Sequence, residues 1–201
     1  FEPELADYLN NKEILENVNF SSEYKNIAWD NVDIVMVCVQ TPSLESNQID
    51  TSFVKKVFMS IQNYINHNTV ICIKSTIHPE ALEKIIADLS FDESRIVFNP
   101  EFLREGSAFT DFFQPDRIVI GSIDKKNAKK VGLLYKDLDT EILFTDPVSS
   151  QLIKYLSNAY LPLRLSFVNE ASQIISAMGG NLKETLKGIG MDTRIGQNYF
   201  R

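Results

Sequence analysis

Short apolar runs alternate with longer amphipathic ones through the first two-thirds of the chain. Residues 32–39 form a nearly continuous apolar run, VDIVMVCV, the pattern of a strand covered on both faces. It stops at Gln40-Thr41-Pro42-Ser43, a turn. Residues 51–66 then place Phe53, Val54, Val57, Phe58, Ile61 and Ile65 at helical spacing, with Thr51 or Ser52 as the N-cap. A second strand is predicted over 69–74, ending at Ser75-Thr76, and a helix over 79–86 with Pro79 in its first turn. Residues 95–98, 117–120 and 141–144 read as three more strands, the last two separated by a helix from Lys125 to Leu138. Repeated strand–helix–strand units predict an α/β fold, a parallel sheet with flanking helices.

Beyond Thr145 the period changes. Residues 147–178 carry one long helical pattern that contains Pro162 and stops at Gly179-Gly180. A helix of about 30 residues spans about 45 Å, too long for a crossover in a small sheet. It is expected to be a connector or dimer spine, dividing the chain into a sheet domain over 1–145 and a helical domain over 146–201. A shorter helix starts at Asn181, and the chain closes on a polar, glycine-marked tail.

Charge and composition narrow the function. A net charge of −7, without a Lys/Arg cluster, speaks against nucleic acid or anionic membrane as partner. No apolar run approaches the roughly 20 residues of a membrane-spanning helix. Cys38 and Cys72 lie in apolar, β-rich segments and are expected to be buried, unpaired and unreactive, which fits a cytoplasmic compartment. Two Cys and two His make a Cys/His zinc site improbable, and no metal is expected. All eight glycines fall at Gly106 or later, so the first half holds no glycine-rich phosphate loop.

Candidate chemistry gathers at strand ends, where a parallel sheet presents its site. Thr41 follows the first strand and Ser75-Thr76 the second; such hydroxyls bond a cofactor or simply shape a turn. After the third strand comes Asn99-Pro100-Glu101-Phe102-Leu103-Arg104-Glu105-Gly106. Glu101 and Glu105 share a face if this segment is helical; a solvated helix start is the plainer alternative. Lys154 and Asn158 are a further i, i+4 pair, suited to an oxyanion, although a lone lysine there more often snorkels to the surface. Arg194, in the run DTRIG, suits a phosphate or carboxylate.

The string NPEFLREG at 99–106, followed by PDRIVIG at 115–121, closely resembles the nucleotide-sugar 6-dehydrogenases. Glu2-Pro3-Glu4-Leu5 resembles that family's E-P-G-L, Val39-Gln40-Thr41-Pro42 its V-x-T-P, and Lys74-Ser75-Thr76 its K-S-T. The resemblance runs over essentially the whole chain. It implies a partial Rossmann-like sheet, NAD as cofactor, and four-electron oxidation of a sugar C6 alcohol to a carboxylate through a cysteine-bound thioester. UDP-glucose is the implied substrate, on the Pro115-Asp116-Arg117 run, with GDP-mannose the nearest alternative. By the same resemblance Glu101 serves thioester hydrolysis, Thr76 places water or the reacting oxygen, and Lys154 and Asn158 stabilise negative charge on it. Thr41, Ser75, Thr76 and Glu105 would face the cofactor. Phe102, Leu103 and Arg104 would line the sugar site, and Arg194 with Tyr199 would reach the diphosphate of a neighbouring subunit in a homodimer joined by the long helix. The family's opening G-x-G-x-x-G turn and its later cysteine segment have no counterpart in these residues. The chain is therefore expected to be a middle slice of such an enzyme, inactive alone; a catalytically dead binding or dimerisation module is the alternative from another class.

Overall fold

The computed structural model describes residues 2–45 and 49–198. Five strands form one sheet: β1 (Ile34–Val37), β2 (Val70–Ile73), β3 (Ile96–Phe98), β4 (Ile118–Gly121) and β5 (Ile142–Thr145), ordered as in the sequence. Helices α1 (Leu5–Leu9) and α2 (Lys12–Leu15) precede them. Between and after the strands come α3 (Ser52–Ile61), α4 (Pro79–Asp88), α5 (Ala108–Phe113), α6 (Lys125–Gly132), α7 (Pro147–Ala177) and α8 (Leu182–Gly190).

The central strands β2, β3 and β4 are buried along their whole length, as their unbroken apolar runs require. Side chains alternate between faces. Ile71 and Ile73 of β2 join Val54, Phe58, Leu82 and Ile85 from α3 and α4 in one core. Val70 and Cys72 point the other way, into a second core with Ile118, Ile120, Ala128 and Val131.

The sheet is not wholly parallel. β1–β2, β2–β3 and β4–β5 are parallel, but β3 meets β4 antiparallel through the pair Phe98↔Gly121. The 99–117 connection spends its length on a loop and the short α5 instead of crossing the sheet. The chain thus re-enters from the edge where β3 ends and runs back. Asn99 Nδ2 donates to the Val119 carbonyl at 3.0 Å and Ser122 Oγ to that of Ile96 at 3.1 Å, fastening this junction. Helix α6 is also shorter than its pattern, giving way to a 3-10 turn at Leu133–Tyr135.

Cys72 is fully buried, and burial pushes its thiol up to about 12. Cys38 corrects the expectation of two buried thiols: β1 ends at Val37, and Cys38 follows it exposed beside the sheet's edge strand. Desolvation still raises its pKa. A maleimide should therefore label Cys38 in the native chain, faster as pH rises and thiolate accumulates, and leave Cys72 untouched until unfolding. Mass mapping of the labelled peptide checks both halves of this statement.

Two compact units result, Phe1–Lys154 and Tyr155–Arg201. In the second, α7 ends near Gly179, whose φ of +71° suits glycine, and Asn181 caps α8 by accepting from the Glu184 amide at 3.1 Å.

Candidate active site

The carboxyl ends of β1, β2 and β3 lie side by side, and the hydroxyl residues singled out from the sequence follow the first two. Beyond β1, the carbonyl of Val37 accepts the Lys74 amide at 2.9 Å, and that of Val39 accepts Ser75 Oγ at 2.6 Å. The Ser75 proton is committed to that staple, leaving its oxygen lone pairs for a donor. Thr41 and Thr76 are half-buried on the same edge. Hydroxyls at adjacent parallel strand ends fit the amide and ribose groups of a dinucleotide.

Beneath this edge lies a polar network the sequence did not announce. Lys74 Nζ donates to Asn99 Oδ1 at 3.3 Å and to the Tyr135 hydroxyl at 3.4 Å, and that hydroxyl donates in turn to Asn99 Oδ1. Burial lowers the Lys74 pKa and raises that of Tyr135. Every side-chain oxygen and nitrogen of Asn99 is thereby engaged, so the exit from β3 is held in one conformation.

That exit delivers Glu101. Its Oε1 lies 2.8 Å from Lys154 Nζ, whose side chain is only 7% exposed; its Oε2 accepts the Leu103 amide at 2.8 Å. The same ammonium donates to the Glu101 carbonyl. An ammonium carries three donors, and Glu101 takes two of them. The Phe102 ring backs the pair, with Lys154 Nζ at 5.5 Å and the Arg117 guanidinium at 4.2 Å from its centroid. A desolvated ammonium beside a carboxylate is an arrangement for stabilising an oxyanion and handling a proton next to it.

Glu101 and Glu105 do not share a helical face. Residues 101–106 are a loop: Pro100 disfavours helix at Asn99, Gly106 adopts φ +81°, and the helix starts only at Ala108. Arg104 turns back to form a bidentate pair with Asp111, at 3.0 and 2.6 Å. These hydrogen bonds hold the Asp111 carboxyl down at about 2. A depressed carboxyl stabilises the fold above its unfolded pKa and loses that contribution as pH falls through its folded value. The loop should therefore keep this tie from neutral pH down to about pH 3 and release it near pH 2, which a carboxyl NMR titration of Asp111 reads directly.

Leu103 and Glu105 are exposed on the loop, outside the Glu101–Lys154 pair. Asn158 is exposed one turn farther along α7, in the second unit. Arg194, also in that unit, is exposed and paired with Asp192 through two side-chain bonds. Tyr199 lies outside the described residues. Among the described residues no group of three or more His, Cys, Asp or Glu is placed to hold a metal ion, and no helix is long and apolar enough to cross a membrane.

The model of the UDP-glucose/GDP-mannose dehydrogenase family's NAD binding domain matches residues 1–139, and that of its central domain residues 148–201. The whole chain is 37% identical to a UDP-glucose 6-dehydrogenase of Rickettsia felis, covering 46% of that protein. It is 33% identical to the UDP-glucose 6-dehydrogenase YwqF of Bacillus subtilis, covering 47% of it. Among solved structures, a UDP-glucose dehydrogenase from Pyrobaculum islandicum superposes over the full chain with a TM-score of 0.87 at 31% identity, 48% of that chain being covered. A GDP-mannose dehydrogenase from Pseudomonas aeruginosa gives 0.86 at 26% identity, also over the full chain and 49% of its own. The chain thus spans about half the length of the relatives it matches.

Proposed function

The chain belongs to the UDP-glucose/GDP-mannose dehydrogenase family, and from that premise we propose that it carries part of the active site of an NAD-dependent nucleotide-sugar 6-dehydrogenase acting on UDP-glucose. The observation that carries this reading is the Glu101–Lys154 pair at the carboxyl edge of the parallel strands. Overall, a C6 alcohol and one water become a carboxylate, and two hydrides and three protons leave. NAD, when bound, accepts a hydride in each of the two oxidations.

The chain's own residues supply the following part of the site. Lys154 holds the developing negative charge on the C6 oxygen, with Asn158 as a second donor. Thr76 places that oxygen or the water that follows it, and Glu101, an acceptor already oriented by Lys154, receives the proton of the attacking water. The loop backbone at Phe102, Leu103 and Arg104 lines the sugar. Thr41, Ser75, Thr76 and Glu105 face the cofactor. Arg194 and Tyr199 serve the diphosphate of a neighbouring subunit. Free thiols at Cys38 and Cys72 accord with a cytoplasmic setting.

A chimera in which this chain replaces the matching part of Bacillus subtilis YwqF tests the assignment. NADH formation from UDP-glucose, two per sugar, is expected. NADH from GDP-mannose alone overturns the substrate, and none from either sugar by a folded chimera overturns the activity.

The homodimer belongs to the same proposal. Leu156, Leu163, Phe167 and Ile174 of α7 are each more than half exposed, an apolar surface of the kind that marks an interface. Sedimentation should show a dimer that the double change Leu163→Asp, Phe167→Asp converts to monomer; a monomeric parent would count against the shared-site arrangement.

A further inference from the structure

Glu2, more than a hundred residues from the loop in sequence, reaches it in space. Its Oε1 accepts the Gly106 amide at 2.8 Å and its Oε2 the Ala108 amide at 2.9 Å. The approach is supported from the same segment: Thr110 Oγ1 donates to Glu4 Oε2 at 3.3 Å, and the Tyr8 ring packs on Phe109 and Phe113 at 5.4 and 5.6 Å.

The loop has little else to shape it. Its residues from Leu103 to Gly106 are exposed and have no hydrophobic anchor in either core. What orders it is a set of carboxylates taking up backbone amides: Glu101 that of Leu103, Asp111 that of Arg104, and Glu2 those of Gly106 and Ala108. Glu101 and Asp111 fix the front of the loop from within. At its far end the turn through Gly106, at φ +81°, is closed by the Ser107 amide on the Arg104 carbonyl at 3.0 Å, and Glu2 is what ties that turn to a distant part of the chain. No neighbour lies within 4 Å of the position a Cβ on Gly106 would take. Without that hold the turn keeps its own backbone bond and the Arg104–Asp111 tie but loses its anchor to the Glu2 segment, so the turn and the Phe102–Arg104 backbone can shift together.

We propose that Glu2 is a positioning residue for the sugar-binding loop: its two-oxygen clasp on Gly106 and Ala108 holds the Phe102–Arg104 backbone in the shape that receives the nucleotide sugar. The proposal rests on the reading of that loop as the sugar's wall, and its test separates the two. Amide exchange by NMR on the chain, with Glu2→Ala and Glu2→Gln, reads the clasp, and titration of the YwqF chimera and its same two variants with UDP-glucose reads the site. Glu2→Ala should speed exchange at Gly106 and Ala108 about tenfold and weaken UDP-glucose binding by a similar factor, while exchange at Cys72 and Val119 in the sheet stays unchanged. Glu2→Gln has one carbonyl oxygen and should protect one of the two amides, with an intermediate affinity. Exchange unaltered by both substitutions overturns the clasp. Accelerated exchange with unaltered affinity overturns its role at the site. A folded parent chimera that binds no UDP-glucose overturns the functional reading on which the inference stands, and is recognised by the parent titration alone.

Discussion

Gly121→Ala is expected to be the most damaging single-methyl change in the chain. A Cβ on Gly121 would lie 2.2 Å from Ser150 Oγ, 2.5 Å from Ser150 Cβ and 2.7 Å from the Asp146 carbonyl oxygen. None of these can step aside. Ser150 is completely buried, its hydroxyl donates to the Pro147 carbonyl at 2.8 Å, and its amide donates to that same Asp146 carbonyl at 3.1 Å. Gly121 itself is the last residue of β4, registered against Phe98 on one side and Thr145 on the other. The strand cannot retreat without breaking the sheet, so the first turn of α7 must lift. Overpacking of this kind costs about 2–3 kcal/mol, which for a chain of this size lowers Tm by roughly 5–10 °C. The same displacement would carry Lys154, one turn on, away from Glu101. Gly188→Ala is the matched control: it sits within α8 with nothing inside 4 Å, and should raise stability by about 0.5–1 kcal/mol. Equal thermal midpoints for the two variants would refute the argument.

Gly121 also marks where the sequence stops being informative. The five apolar runs locate the strands to within a residue or two, and for β2, β3 and β4 burial on both faces leaves its trace in every position. Strand β1, expected to be covered on both faces, and β5 lie at the sheet's two edges and are only partly buried. That trace is identical in either direction, so nothing in the run 117–120 reveals that β4 lies antiparallel to β3. Glu101 and Lys154 each stood out by motif, yet their meeting depends on where α7 departs from β5, a long-range matter that spacing does not encode. The Lys74–Asn99–Tyr135 network was less visible still. Asn99 and Lys74 fall inside recognisable strings, but Tyr135 lies 36 residues beyond Asn99 and looks like an ordinary amphipathic position. The i, i+4 spacing of Glu101 and Glu105 misled, since side-chain and backbone bonds to Asp111 and Lys154 outcompete a helix the propensities allow. Cys38 misled for a related reason: an apolar run does not say which of its last residues still lies within the sheet.

Lys154→Ala should separate chemistry from folding more cleanly than any other change in the site. The side chain is 7% exposed, but its partner Glu101 is 33% exposed and keeps the Leu103 amide as a donor. With the lysine gone, water can enter and solvate the carboxylate, so the stability cost should stay near ~1 kcal/mol. On the reading proposed above, what is lost is the preorganised cation beside the reacting oxygen. In the chimera with YwqF, kcat for UDP-glucose oxidation should fall about 10²–10³-fold, the scale of removing one oxyanion donor, with a much smaller change in KM. Lys154→Arg should not restore it. The ammonium reaches the Glu101 carbonyl and carboxylate together from a slot bounded by the Phe102 ring, and a planar guanidinium cannot place a single donor at both. Lys154→Met keeps the aliphatic stem against that ring and removes only the charge, so it should match alanine in rate and the parent in stability. If methionine retained the parent rate, the ammonium would not be needed for the chemistry, and the oxyanion role proposed for it would be wrong.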